Sequence, residues 1–139
     1  MFQHILVPVD YTQKNRGALD LAIHLATPGP GVVSVLHVIE LIADTPLEEF
    51  DAFYASLEEQ ALQKMEELIA PYSGATVKIT HQIAYGSRAQ EIVRVAQDEA
   101  TDLIVMNSHK LDWNEPTQGW GTISYKVSIL ADCPVLLVK

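Results

Sequence analysis

Short β-branched runs and helix-patterned stretches take turns along the whole 139-residue chain. "HILVPVD" leads into "QKNRGALDLAIHLA", where Ala18, Leu19, Ala22, Ile23 and Ala26 recur at helical spacing. "TPGPG" ends that helix, and the nearly all-apolar "VVSVLHVI" follows. A longer connection, "ELIADTPLEEFDAFY", leads to a helix with Leu57, Ala61, Met65, Leu68 and Ile69 on one stripe, closed by Pro71 and Gly74. The third strand is expected in "ATVKIT". The third helix is expected in "SRAQEIVRVAQDEA", with Ser87 as N-cap and Ala89, Ile92, Val93 and Ala96 facing inward. "DLIVM" is the fourth strand. A last helix begins at Gly121 or Thr122, with Ile123, Val127 and Leu130 on one side, and "PVLLV" is the fifth strand. Strand–helix alternation of this kind gives right-handed βαβ units, hence a parallel sheet covered on both faces.

The chain has the length of one core, and we expect a single domain over 1–139. The half-polar third strand belongs at a sheet edge. If the apolar last strand is also an edge, it invites cover by a second subunit, so a homodimer is expected there. No basic leader followed by a long apolar run opens the sequence, and no stretch has the length of a membrane span. The only cysteine, Cys133, suits a reducing compartment and reads as buried and inert.

Charge narrows the partners. Between Glu40 and Glu67 nine acids face one base, Lys64, which gives −8 of the overall −9. Nucleic acid and anionic membrane surfaces are therefore poor partners, because both need a surplus of Lys and Arg. The acidic stretch reads as a solvated helix face.

Chemistry in such sheets sits at the carboxyl ends of the strands. That selects Asp10, the stretch Val38 to Glu40, and Met106 to Lys110. The amino end of the last helix, at Gly121 and Thr122, offers free N–H groups for an anion. Asp10 either accepts from a ribose hydroxyl or caps the helix that follows it. The segment "NSHKLDWNEPTQGWGT" holds neither GxxxxGK[ST] nor GxGxxG. Lys110 and Asn107 are candidate phosphate contacts there. Trp113 and Trp120 could stack on a base, plug the cavity or cover the fold from outside. The five histidines show no metal-ligand spacing, although His37 and His81 would be neighbours on adjacent strands. No nucleophile elbow or acid–base pair marks a catalytic centre, so no catalytic residue is assigned.

"PVD", "LHVIE", "DLIVMNSH" and "GTISYKVSILADCPVLLVK" together resemble the universal stress protein family over essentially the whole chain. The resemblance implies an open five-stranded parallel sheet in the order 3-2-1-4-5 with helices on both faces, the adenine nucleotide alpha hydrolase-like fold. It also implies a cytoplasmic homodimer joined near the last strand. Some members of the family bind ATP and some do not. The nucleotide-binding pattern is glycine, two residues, glycine, nine residues, then glycine with serine or threonine. Here Asn107 and Lys110 stand at the first two glycine positions, and ten residues separate Lys110 from Gly121 and Thr122. The adenosine-contacting positions map onto Pro8, Val9, Asp10, Val38 and Met106. Asn visits the left-handed backbone region, so Asn107 is a tolerable replacement for glycine.

Two functions follow from this. The first, preferred on sequence alone, is a stress-response regulatory or interaction dimer with a remodelled phosphate site and a protein partner the sequence does not name. The second is a sensor of ATP or another adenine nucleotide, using Asp10, Val38, Asn107, Lys110 and Thr122. A nucleotide hydrolase is a poorer third.

Overall fold

A computed structural model of the chain describes residues 1–41, 51–108, 114 and 123–139. The elements are β1 (His4–Pro8), α1 (Asn15–Leu25), β2 (Val32–Ile39), α2 (Asp51–Ile69), β3 (Lys78–Tyr85), α3 (Arg88–Asp98), β4 (Leu103–Asn107), α4 (Ile123–Leu130) and β5 (Val135–Val138). All five strands run parallel in the order β3-β2-β1-β4-β5, as the resemblance implies. β3 and β5 are the two edges.

The alternation of side chains along each strand divides the interior into two cores. Ile5, Val7, Val33, Val35, Leu103 and Val105 meet α1 and α2 through Ala18, Leu19, Ala22, Met65 and Leu68. Leu6, Leu36, Val38, Ile104 and Met106 meet α3 and α4 through Ala89, Ile92, Val95 and Val127. Strands buried on both faces carry apolar residues at nearly every position, which is why "VVSVLHVI" reads as a continuous run.

Three expectations are corrected. The third strand shares only Lys78–Thr80 with "ATVKIT" and runs on to Tyr85, since its register against β2 goes from Val32↔Lys78 to Ile39↔Tyr85. The polar pair His81 and Gln82 hid its second half, although Gln82 is a satisfied strand residue whose amide donates to Glu99 Oε1 at 2.6 Å. In α3 the inward residue is Val95, 3% exposed, while Val93 is half-buried. In α4, Leu130 is 53% exposed and only Val127 is sealed in the core. Ser87 does stand at the N-cap of α3, but its hydroxyl makes no capping hydrogen bond. Among the described residues no helix is long and apolar enough to cross a membrane.

Candidate functional site

β1, β2 and β4 end on the same side of the sheet, and a partly open cleft of about 130 Å³ lies across their carboxyl ends on the α3 and α4 face. Pro8, Val9, Asp10, Val38, Met106 and Asn107 all border it, so six of the nine residues selected from the sequence come together. The remaining three, Lys110, Gly121 and Thr122, lie outside the described residues, as do Trp113 and Trp120. The cleft is also lined by Asn15, Leu36, Arg88, Ile92, Ile123 and Ser124, none of which the sequence selected for the site, although Ile92 and Ile123 were expected on apolar helix faces.

The lining is divided by chemistry. Leu36, Val38, Ile92 and Met106 are buried apolar side chains of the α3-side core and form a slot beside β2. Asp10, Asn15, Asn107 and Ser124 supply polar groups on the side of β1, β4 and α4.

Asn15 organises the polar side. It is only 2% exposed. Its Oδ1 accepts from the backbone N–H of Asp10 at 3.1 Å, and its Nδ2 donates to Asn107 Oδ1 at 3.0 Å. The amide thus joins the end of β1 to the end of β4. Asn107 also donates to the carbonyl of Val138 at 3.5 Å. It is therefore a strand residue, the last of β4, and among the described non-glycine residues only Tyr11 and Ala100 have positive φ. The expectation that Asn107 replaces a left-handed glycine is corrected: its side chain works as a strand-to-helix tie.

Asp10 is exposed on the rim. The N–H of Thr12 and its hydroxyl both donate to Asp10 Oδ1, at 3.0 and 2.8 Å. This is a local turn in which a side-chain carboxylate stands in for a backbone acceptor. The N-cap of α1 is Lys14, so Asp10 does not cap that helix. Burial pushes its pKa up, but hydrogen bonds from Thr12, from its own N–H and from Asn15 outweigh this and hold the carboxyl below its ordinary value of 3.8.

The next residue is under backbone strain. Tyr11 has φ 66°, a conformation uncommon for a bulky side chain. Its ring lies 4.3 Å from that of His37, and its hydroxyl donates to the carbonyl of Ala61 at 2.8 Å, which anchors the turn to α2. His37 Nδ1 is 2.9 Å from the carbonyl of Val9, so it donates there. Burial lowers the His37 pKa, against that hydrogen bond. His37 and His81 do lie on adjacent strands, yet no group of His, Cys, Asp and Glu that could hold a metal exists among the described residues. Cys133 is half-buried, and its thiol is pushed up by burial and by the nearby Asp102 and Asp132.

These features define a class: a doubly wound parallel α/β fold with its crevice where the strand order reverses. A family model described as the Universal stress protein family matches residues 1–139, and the chain belongs to that family. It is 29% identical to Universal stress protein YxiE of Bacillus subtilis, covering all of both chains. It is also 29% identical to Universal stress protein MJ0577 of Methanocaldococcus jannaschii, covering all of this chain and 96% of that one. The solved structure of MJ0577 superposes with a TM-score of 0.84 at 31% identity, over 100% of this chain and 96% of that chain. A universal stress protein described as in complex with cAMP shares the fold, with a TM-score of 0.63 at 18% identity over 99% of this chain and 97% of its own.

Proposed function

We propose that this protein binds an adenine nucleotide in the cleft and acts as a nucleotide-responsive member of its family. The observation that carries the reading is the convergence of Pro8, Val9, Asp10, Val38, Met106 and Asn107 on one cavity. The apolar slot of Leu36, Val38, Ile92 and Met106 suits a flat base. Asp10, exposed and ionised at neutral pH, suits a ribose hydroxyl better than a phosphate, since two anions repel. That a relative of the same fold is described with cAMP is consistent with this placement. Lys110, Gly121 and Thr122 then supply the phosphate side. This is better supported than the regulatory dimer with a remodelled phosphate site that the sequence alone favoured, since the adenosine-side residues are assembled.

Isothermal titration with adenosine, AMP, ADP and ATP tests the reading. Binding that weakens on Asp10→Asn for every ligand, and on Lys110→Ala or Thr122→Ala for the phosphorylated ones, is expected. No heat at millimolar nucleotide would sink it.

Subunit pairing is supported by a separate feature. Ile129, Leu130 and Leu136 are 61%, 53% and 37% exposed, around an edge strand that pairs on its outer side with no strand among the described residues. An uncovered apolar edge favours pairing with a second copy of the chain. Sedimentation at tens of micromolar should show a dimer that Leu136→Arg dissociates. A monomer at that concentration would remove this part of the proposal.

A further inference from the structure

Arg88 is the first residue of α3, and it borders two hollows at once. On one side it lines the cleft with Ile92, which follows one helical turn later on the same face. On the other it lines a hollow of about 260 Å³ toward α2, together with His37, Glu40 and Lys64. Arg88 is thus part of the wall between them, on the side where the cleft is apolar.

Its backbone is fixed while its side chain is not. The N–H of Gly86 donates to the carbonyl of Ile39 at 3.0 Å, which holds the start of α3 against the end of β2. Gly86 has φ +141°, and a Cβ there would lie 3.0 Å from the Glu91 side chain, so the turn requires glycine. Beyond it, Arg88 Nε stands 3.5 Å from Glu40 Oε1, with the two side chains 45% and 54% exposed. An ion pair so open to water is weak and easily exchanged. A planar guanidinium at the mouth of an apolar slot is suited to the face of an aromatic ring, which an ammonium matches less well.

We propose that Arg88 is a base-binding residue of the cleft: it leaves Glu40 and stacks on the purine ring, so that Glu40 competes with the ligand for the guanidinium. This rests on the nucleotide-binding reading above and goes beyond it by assigning the base-side contact. Because the contact is to the base, its worth does not depend on the number of phosphates.

The test is titration of adenosine, AMP and ATP into the wild-type protein, Arg88→Ala, Arg88→Lys and Glu40→Gln, with urea midpoints as the check on folding. Arg88→Ala should weaken all three ligands by a common factor of about two to five, in line with an exposed cation–π contact. Arg88→Lys should recover little of this, and Glu40→Gln should bind all three more tightly than wild type. Arg88→Ala within twofold of wild type for adenosine, or a loss confined to ATP, overturns the inference while leaving the nucleotide site standing. Weaker binding by Glu40→Gln overturns the competition. Wild-type protein that binds none of the three ligands takes down the site and the inference together.

Discussion

At the amino end of the sheet, Asp102 accepts from the backbone N–H groups of Gln3 and His4, at 2.8 and 3.1 Å, and so ties the start of β1 to the start of β4. At the carboxyl end Asn15 makes the corresponding tie between the ends of the same two strands. The amino-end tie is a carboxylate fully committed to main-chain donors. Beside it His4 Nε2 lies 2.8 Å from Ser34 Oγ and 3.1 Å from Glu99 Oε2, while Ser34 Oγ lies 2.9 Å from Thr80 Oγ1. Most polar groups there are engaged in structure, although the buried Thr101 hydroxyl has no hydrogen-bond partner among the described residues. The carboxyl-end tie is a neutral amide, which adds no charge beside the cleft. Asp10, the carboxylate that lines the cleft among the described residues, stands on an exposed turn. A neutral clamp holds two strand ends together without adding charge where the proposed nucleotide would place its anionic groups, which a second carboxylate would oppose.

The largest difference between the two ends is expected for Asn15→Ala. The substitution leaves the N–H of Asp10 and the amide of Asn107 without their shared partner. Unpaired buried polar groups cost about 1–3 kcal/mol, and we expect a loss of stability in that range. Adenosine affinity should fall as well, because Asp10 and Asn107 lose their mutual placement. Asp102→Ala removes bonds that are more exposed, so about 1–2 kcal/mol is expected, with no change in adenosine affinity. Urea unfolding and adenosine titration on both variants check the pair. If both lose affinity alike, the two ends are not functionally distinct.

The difference between the ends was only half visible in the sequence. Which faces are buried could be read from β2, where Val33, Val35, Leu36 and Val38 leave no polar face. The positions of Asp10, Val38 and Met106 at strand ends followed from the same runs. Asn15 and Arg88 could not be found that way, since a polar residue in the first turn of a helix looks like an ordinary solvated start. Their roles depend on partners far along the chain, such as Asn107 for Asn15. The second half of strand three escapes the sequence pattern for a related reason: Gln82 is satisfied by Glu99, which no local pattern reveals. Leu130 and Leu136 look like core by composition, yet stay exposed because no described residue covers that edge. The contribution of Lys110, Gly121 and Thr122 lies outside the described residues.

A smaller effect separates the ends by pH. Burial depresses the His37 pKa below its ordinary 6.5, so the unfolded chain takes up a proton there before the folded one does. Stability at the cleft end should therefore be complete above about pH 6.5 and decline as pH falls toward the depressed folded value. Asp10 acts in the same direction at lower pH. Its contribution is present above its ordinary 3.8 and is lost as pH falls through the lower folded value. Urea midpoints measured from pH 7 to 5 should fall for the wild type and flatten in His37→Phe, which keeps a ring against Tyr11. An unchanged slope in that variant would assign the decline to other groups.

The smallest effect concerns two residues with the same unusual backbone. Ala100, at the amino end, has φ 52°, and Tyr11, at the cleft, has φ 66°. Ala100 follows the C-cap Glu99 of α3; its N–H donates to Gln97 O at 3.2 Å, and the N–H of Thr101 donates to Ala96 O at 2.9 Å. This is the helix-ending arrangement that usually places glycine at the left-handed position. Ala100 gains little from its methyl there, so Ala100→Gly should stabilise the fold by about 0.5 kcal/mol and leave adenosine affinity unchanged. Tyr11→Gly relieves the same strain but removes the stack on His37 and the bond to Ala61, so it should destabilise the fold and weaken the cleft. Opposite signs would show that strain at the amino end is incidental, while at the cleft the ring and hydroxyl contacts of Tyr11 outweigh the strain they hold in place. Stabilisation by both would mean that the Tyr11 contacts do not hold Asp10 in position.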